Sequence, residues 1–133
     1  MIGVPRSWNS HPEVAYAGEL PRASVPLYLQ AADIFVLPTT NEGMCNALLE
    51  ALSVGLPVVT SDLPFNREVL SQHEGILIDP LDISGISSAI LRLREEANLR
   101  EKLGKISITV ASKFSLALRV KGAEKFLAQN NQA

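Results

Sequence analysis

The chain is poor in the residues that build several common kinds of site. Its 133 residues include one cysteine, Cys45. No intrachain disulfide can form, which argues against a disulfide-stapled secreted scaffold and suits a reducing compartment. The two histidines are His11 and His73. No motif sets either beside Cys45, so a Cys–His nucleophile pair has no support. Cys45 reads as a thiol that packs, and His73, ahead of Glu74 and Gly75, as a turn residue. A basic excess is also absent: 12 Lys and Arg against 14 Asp and Glu leave a net charge of −2. This excludes the broad electrostatic footprint of a nucleic-acid binder. Apolar runs are broken by Pro, Asp or Gly well short of the ~20 residues of a membrane span. The opening "MIGVPRSWNS" lacks a basic stretch followed by an apolar core, so no signal peptide is expected. There is no internal repeat, no low-complexity segment and no block of like charge. The expected location is the cytoplasm; peripheral membrane attachment is left open.

What remains is a composition of 47% hydrophobic and 20% charged residues, close to that of an ordinary globular domain and enough for one packed core. Residues 1–13 read as an irregular segment punctuated by Pro5, Ser7, Asn9, Ser10 and Pro12. "VAYAG" (14–18) reads as a strand. Residues 21–32 read as a helix capped by Ser24 with Pro26 in its first turn, its inner face drawn from Val25, Leu27, Tyr28 and Ala31 or Ala32. "DIFVLP" (33–38) is expected to be a strand buried on both faces. The polar loop "TTNEGMC" (39–45) leads into a helix over 46–54, stopped by Gly55 with Pro57 beyond. "PVVTS" (57–61) and "ILID" (76–79) read as strands, with a short helix over 64–70 and a turn at 73–75 between them. Two helices are expected over 82–97 and 98–112, divided near Asn98. Ser115 is the expected cap of a last helix running to about Gln129, followed by a frayed tail at 130–133. The apolar stripes in 83–93 and 116–127 read as core faces.

Strands alternating with helices predict an α/β domain around a parallel sheet. Four strands are counted, against about six in a complete doubly wound nucleotide-binding domain. The expectation is a partial doubly wound, Rossmann-like sheet over residues 14–129, belonging to something larger.

In open parallel sheets ligands bind beyond the carboxyl ends of the strands, where loops enter helix N-termini. The loop 39–45 lies there. Gly43 gives it conformational freedom, and the free amides of residues 44 to 47, with the helix dipole, suit a diphosphate. Glu42 stands before the helix. Glu50 stands roughly 6 Å along the axis from Asn46. Two acceptor carboxylates flanking a phosphate site suit the hydroxyls of a nucleotide sugar: ribose on one side, hexose on the other. The plainer alternatives are that Glu50 is a partly exposed helix acid and Glu42 an N-terminal acid favoured by the dipole. Asp62, after the third strand, has two readings, a ligand contact and a turn former, of which the second is favoured.

The stretch "ADIFVLPTTNEGMCNALLEALSVGLPVVTSDLPFNREVL" (32–70) resembles the retaining glycosyltransferases of the GT-B fold, in particular family 4 (group 1). The match rests on "EGMCNALLE", two glutamates separated by seven residues. It continues through "GLPVV", "GILIDP" (75–80) and the helical tail with "KFS" (113–115), and "VAYAGEL" (14–20) resembles the segment upstream of that signature. The resemblance implies that this is the C-terminal half of the enzyme, within the donor-binding domain. Glu50 would hold the ribose hydroxyls and Glu42 would lie beside the donor sugar as the catalytic position. Gly43, Met44, Cys45, Asn46 and Ala47 would face sugar and phosphate. Met44 stands where the family often has an aromatic residue, and Cys45 where it often has Gly or Pro. The "NALLEA" wording leans toward members that build capsules and other surface polysaccharides. The activity implied is retaining sugar transfer from a nucleotide-diphosphate sugar. No cofactor and no metal are expected, since no Asp-x-Asp motif occurs.

The family's phosphate-binding Arg and Lys and its acceptor-binding N-terminal domain have no counterpart here. The chain alone is therefore expected to be inactive. The alternatives are a stand-alone donor-binding subunit that needs a partner chain, or a non-catalytic remnant. An unpaired sheet edge would offer a route to a dimer.

Overall fold

The computed structural model describes residues 11–41 and 46–130, without the side chains of 115–123, 125 and 126. A 3-10 turn at Arg22–Ser24 runs into α1 (Val25–Ala31). There follow β1 (Phe35–Leu37), α2 (Asn46–Ser53), β2 (Val58–Ser61), α3 (Pro64–Val69), β3 (Ile76–Ile78), α4 (Ile83–Glu95) and α5 (Ala97–Asn130). The three strands form one parallel sheet in the order β1-β2-β3. Phe35 pairs with Val58 and Leu37 with Thr60 on one side of β2; Val59 pairs with Ile76 and Ser61 with Ile78 on the other.

β2 shows why the fold is layered. All four of its residues are buried, and the two-residue period of a strand sends its valines to opposite faces. Val58 joins a cluster with Leu48, Leu52, Val69 and Val110, from α2, α3 and α5. Val59 joins a second cluster with Ala89, Leu93 and Leu103, from α4 and α5. Helices thus cover both faces of the sheet, the arrangement of an α/β Rossmann-like fold, and α5 serves both cores from successive turns. Burying Leu48 and Leu52 completely contributes about 1.5–3 kcal/mol each.

α2 ends as its sequence dictates. Gly55 takes φ 82°, its amide donates to the Leu52 carbonyl (3.1 Å), and the Leu56 amide donates to the Ala51 carbonyl (3.2 Å). That pair of bonds is a Schellman motif, and glycine is there because the left-handed position penalises a Cβ. α5 then packs onto this turn. Ser107 Oγ lies 2.7 Å from the Leu56 carbonyl and 2.9 Å from the Leu103 carbonyl, its single proton serving one at a time. α4 begins at Asp82, whose side chain accepts from the Gly85 amide at 3.0 Å. Asp82→Ala is expected to cost about 1 kcal/mol of stability, read as a lowered denaturation midpoint with unchanged slope.

Several expectations are corrected. Residues 14–18 form no strand: they make no ladder, and Val14 and Tyr16 are exposed. The described sheet has three strands rather than four. The helix over 21–32 is a 3-10 turn followed by α1, and Ser24 makes no side-chain cap because its own backbone is already helical. The face of α1 is also different: Leu29 packs against the core while Leu27 and Tyr28 are exposed. At about 100° per residue these three cannot all face inward. β1 is half-buried rather than buried on both faces, being the edge of the described sheet.

The expected break between two helices is found, at Glu96, two residues before Asn98, and Arg100 Nη1 donates to the freed carbonyls of Leu93 (2.8 Å) and Arg94 (2.6 Å). No helix starts at Ser115; α5 is continuous through it, since residues 110–116 contain no Gly or Pro and an interior Ser costs a helix little. α5 also includes Asn130, placed in the frayed tail. The stripe in 83–93 is only partly a core face: Ala89 and Leu93 are buried, whereas Ile83 and Leu91 are exposed. Leu127, in the second stripe, is exposed as well.

Candidate functional site at the carboxyl edge of the sheet

β1, β2 and β3 end together at Leu37, Ser61 and Ile78. The chain leaves this edge through residues 38–45, 62–63 and 79–82 to reach α2, α3 and α4. α2 buries Leu48, Ala51 and Leu52, an i, i+3, i+4 stripe. That choice of inner face fixes the rest of the helix. Glu50, half-buried, stands four residues from Asn46 and three from Ala47, both exposed, so it lies beside each of them on one side of the first turn and a half. The structure thus brings together three of the seven site residues expected from sequence. The other four, Glu42, Gly43, Met44 and Cys45, lie outside the described residues. Among the described residues no side chain pairs with the Glu50 carboxylate, and its backbone carbonyl accepts from Ser53 Oγ at 2.6 Å.

The same edge carries a buried polar network that the sequence reading passed over. Thr60, Ser61 and Asn66 are at most 5% exposed. Thr60 Oγ1 donates to the Leu37 carbonyl (3.0 Å) and Ser61 Oγ to the Thr39 carbonyl. Asn66 Nδ2 donates to Thr60 Oγ1 (3.3 Å) and to the Ser61 carbonyl (2.8 Å). No buried side-chain polar atom among the described residues lacks a partner, so the network is satisfied rather than strained. The available signal was a polar pair closing an apolar strand, "VVTS", and an Asn inside the otherwise apolar start of α3.

Asp62, one residue beyond β2, is held by structure. Its amide donates to the Ile78 carbonyl at 2.7 Å, and its carboxylate pairs with the Arg67 guanidinium. The hydrogen bond from Arg67 holds the Asp62 carboxyl below its ordinary range. Both side chains are exposed, and such pairs add little stability. Among the described residues no group of three or more His, Cys, Asp or Glu could hold a metal, and no helix is long and apolar enough to cross a membrane.

Residues 8–109 match the family described as "Glycosyl transferases group 1". The chain is 34% identical over 100 residues to the UDP-Gal:alpha-D-GlcNAc-diphosphoundecaprenol alpha-1,3-galactosyltransferase of Escherichia coli, covering 74% of this chain and 26% of that protein. It is 34% identical over 102 residues to the O-antigen chain mannosyltransferase B of Escherichia coli, covering 77% and 26%. Among solved structures, a sucrose-phosphate synthase from Thermosynechococcus elongatus superposes with a TM-score of 0.79 at 22% identity, over 94% of this chain and 33% of that one. This likeness supports the GT-B assignment of the fold. The chain spans about a quarter of the length of the two Escherichia coli relatives. It belongs to the group 1 glycosyl transferases.

Proposed function

We propose that this chain supplies part of the donor site of a family 4 glycosyltransferase. The enzyme would transfer a sugar from a nucleotide-diphosphate sugar to an acceptor with retention of configuration. Residues 14–129 are the C-terminal part of the donor-binding domain in this reading. The observation that carries it is that Glu50 lies beside Asn46 and Ala47 on one side of the opening turns of α2, at the carboxyl edge of a parallel sheet. Free amides and the positive end of the helix dipole suit a diphosphate there. Glu50, with no competing side-chain partner among the described residues, is available to accept from ribose hydroxyls. Glu42 is assigned to the sugar, and Gly43, Met44 and Cys45 to the sugar–phosphate turn.

The chain's chemical role is electrostatic. It orients the donor and stabilises the charge that develops on the departing diphosphate. Neither a metal nor another cofactor is required in this proposal. An acceptor domain, in the same polypeptide or on a partner chain, completes the enzyme, and the chain alone is inactive. The names of the Escherichia coli relatives, an O-antigen mannosyltransferase and a galactosyltransferase acting on a diphosphoundecaprenol-linked sugar, favour surface-polysaccharide synthesis as the setting. Such an enzyme would work in the cytoplasm, peripheral to the membrane. The outer edge of β1 is the candidate route to a dimer.

The test is a calorimetric titration of the purified chain with UDP, GDP and ADP. One of the three is expected to bind with a Kd below about 1 mM, equivalent to about 4 kcal/mol or more. A well-folded chain that binds none of them sinks the proposal for this chain.

A further inference from the structure

We propose that Thr60, Ser61 and Asn66 are positioning residues for the donor: through the carbonyls of Leu37 and Thr39 they fix where the chain leaves β1 on its way to α2. This rests on the donor-site reading above and adds three residues that the glutamate signature does not contain.

The argument begins with the end of the sheet. β2 stops at Ser61, and the Leu63 amide turns back to the Ser61 carbonyl at 2.9 Å. The Asp62 amide is taken by β3 and the Leu63 amide by Ser61, so neither bonds the β1 side, yet the chain beyond β1 is still tied to β2. Ser61 Oγ donates to the Thr39 carbonyl, and one register position earlier Thr60 Oγ1 donates to the Leu37 carbonyl at 3.0 Å. The Thr60 hydroxyl therefore adds a bond at the last residue of β1, and the Ser61 hydroxyl extends the hold of β2 two residues past it. Leu37 and Thr39 flank Pro38, so the two side-chain bonds hold the chain on either side of it.

Asn66 fixes the Thr60 hydroxyl and the Ser61 backbone in turn. Its amide group spans both residues, reaching Thr60 Oγ1 at 3.3 Å and the Ser61 carbonyl at 2.8 Å. Thr60 accepts that bond, so its own proton is directed to Leu37. Thr60 and Ser61 are fully buried and Asn66 nearly so. The two Asn66 bonds are buried and the two hydroxyl bonds part-buried, and losing a partner leaves a buried side-chain polar group unsatisfied.

A purely structural role would predict no more than lost stability. The chain itself supplies a matched control. Ser107 is also fully buried and also donates across the fold to a carbonyl, that of Leu56 at 2.7 Å. It acts at the α2–α5 junction, away from the carboxyl edge. Ser61→Ala and Ser107→Ala delete the same group from equally buried sites. Both are expected to lower the melting temperature by similar amounts.

Only Ser61→Ala is expected to weaken nucleotide binding, by about tenfold in the calorimetric titration with UDP, GDP and ADP, and to speed amide exchange at residues 39–41. Thr60→Val is expected to behave like Ser61→Ala, whereas Thr60→Ser, which keeps the hydroxyl, restores affinity to near the wild-type value. Wild-type affinity in Ser61→Ala and Thr60→Val, with nucleotide binding intact in the parent chain, overturns the positioning role and leaves the donor-site reading standing. Absence of binding in the folded parent chain overturns that reading and the positioning role with it.

Discussion

Gly104→Ala is expected to destabilise the chain by at least about 1–3 kcal/mol, although helix propensity alone predicts the reverse. Gly104 lies inside α5, where Gly→Ala ordinarily stabilises by about 1 kcal/mol. Here the added Cβ would lie 2.6 Å from the Gly55 carbonyl oxygen. Neither partner can move cheaply. Gly55 is the left-handed residue of the Schellman turn, tied back to Leu52, and the adjoining Leu56 is tied to Ala51. The α5 backbone is held on the same turn by Ser107. Relief therefore requires α5 to shift outward, which weakens the Ser107 bond and loosens Leu103 and Val110 in both cores. Thermal unfolding should show a fall of about 5–15 °C for Gly104→Ala, and a larger one for Gly104→Val. A raised melting temperature in Gly104→Ala would show that α5 does not approach Gly55 this closely.

That contact also marks the boundary of what the sequence made legible. The helix over 46–54, its Gly55 stop, the strand at 57–61 and the parallel α/β arrangement could be read because each has a local cause: apolar spacing, a glycine, a β-branched run. The close approach of Gly104 to Gly55 could not, since it depends on two segments about fifty residues apart meeting in space. The failures share that origin. "VAYAG" has strand composition, but a strand needs a neighbour, and residues 14–18 have no ladder partner. Ser115 is a good capping residue, but a cap matters only where a helix begins, and nothing in 110–116 ends α5. At the candidate site, the spacing of Asn46, Ala47 and Glu50 was legible because all three lie on one helix. The Thr60–Ser61–Asn66 network was not, because its partners lie 22 and 23 residues away across the sheet.

Glu50→Ala is expected to reduce nucleotide affinity about 100-fold while leaving stability nearly unchanged. The two halves of this expectation have separate causes. Glu50 is half-buried and makes no side-chain ion pair among the described residues, so truncating it removes little packing and should alter stability by less than about 0.5 kcal/mol. Its proposed ligand contacts are hydrogen bonds from ribose hydroxyls to a carboxylate. Bonds to a charged group are worth about 1.5–3 kcal/mol each, and two of them reach the roughly 3 kcal/mol that corresponds to a 100-fold change. Glu50→Gln separates charge from shape. The carboxamide keeps one acceptor oxygen but replaces the other with a donor, so its loss should be intermediate, about tenfold. In an enzyme completed by its acceptor domain, Glu50→Ala should lower kcat/KM for sugar transfer by a similar factor, because the ribose contact is present in both the bound donor and the transition state. Equal nucleotide affinity in the wild type, Glu50→Ala and Glu50→Gln would remove Glu50 from the ribose. Binding would then have to rest on the amides at the start of α2, which none of these substitutions alters.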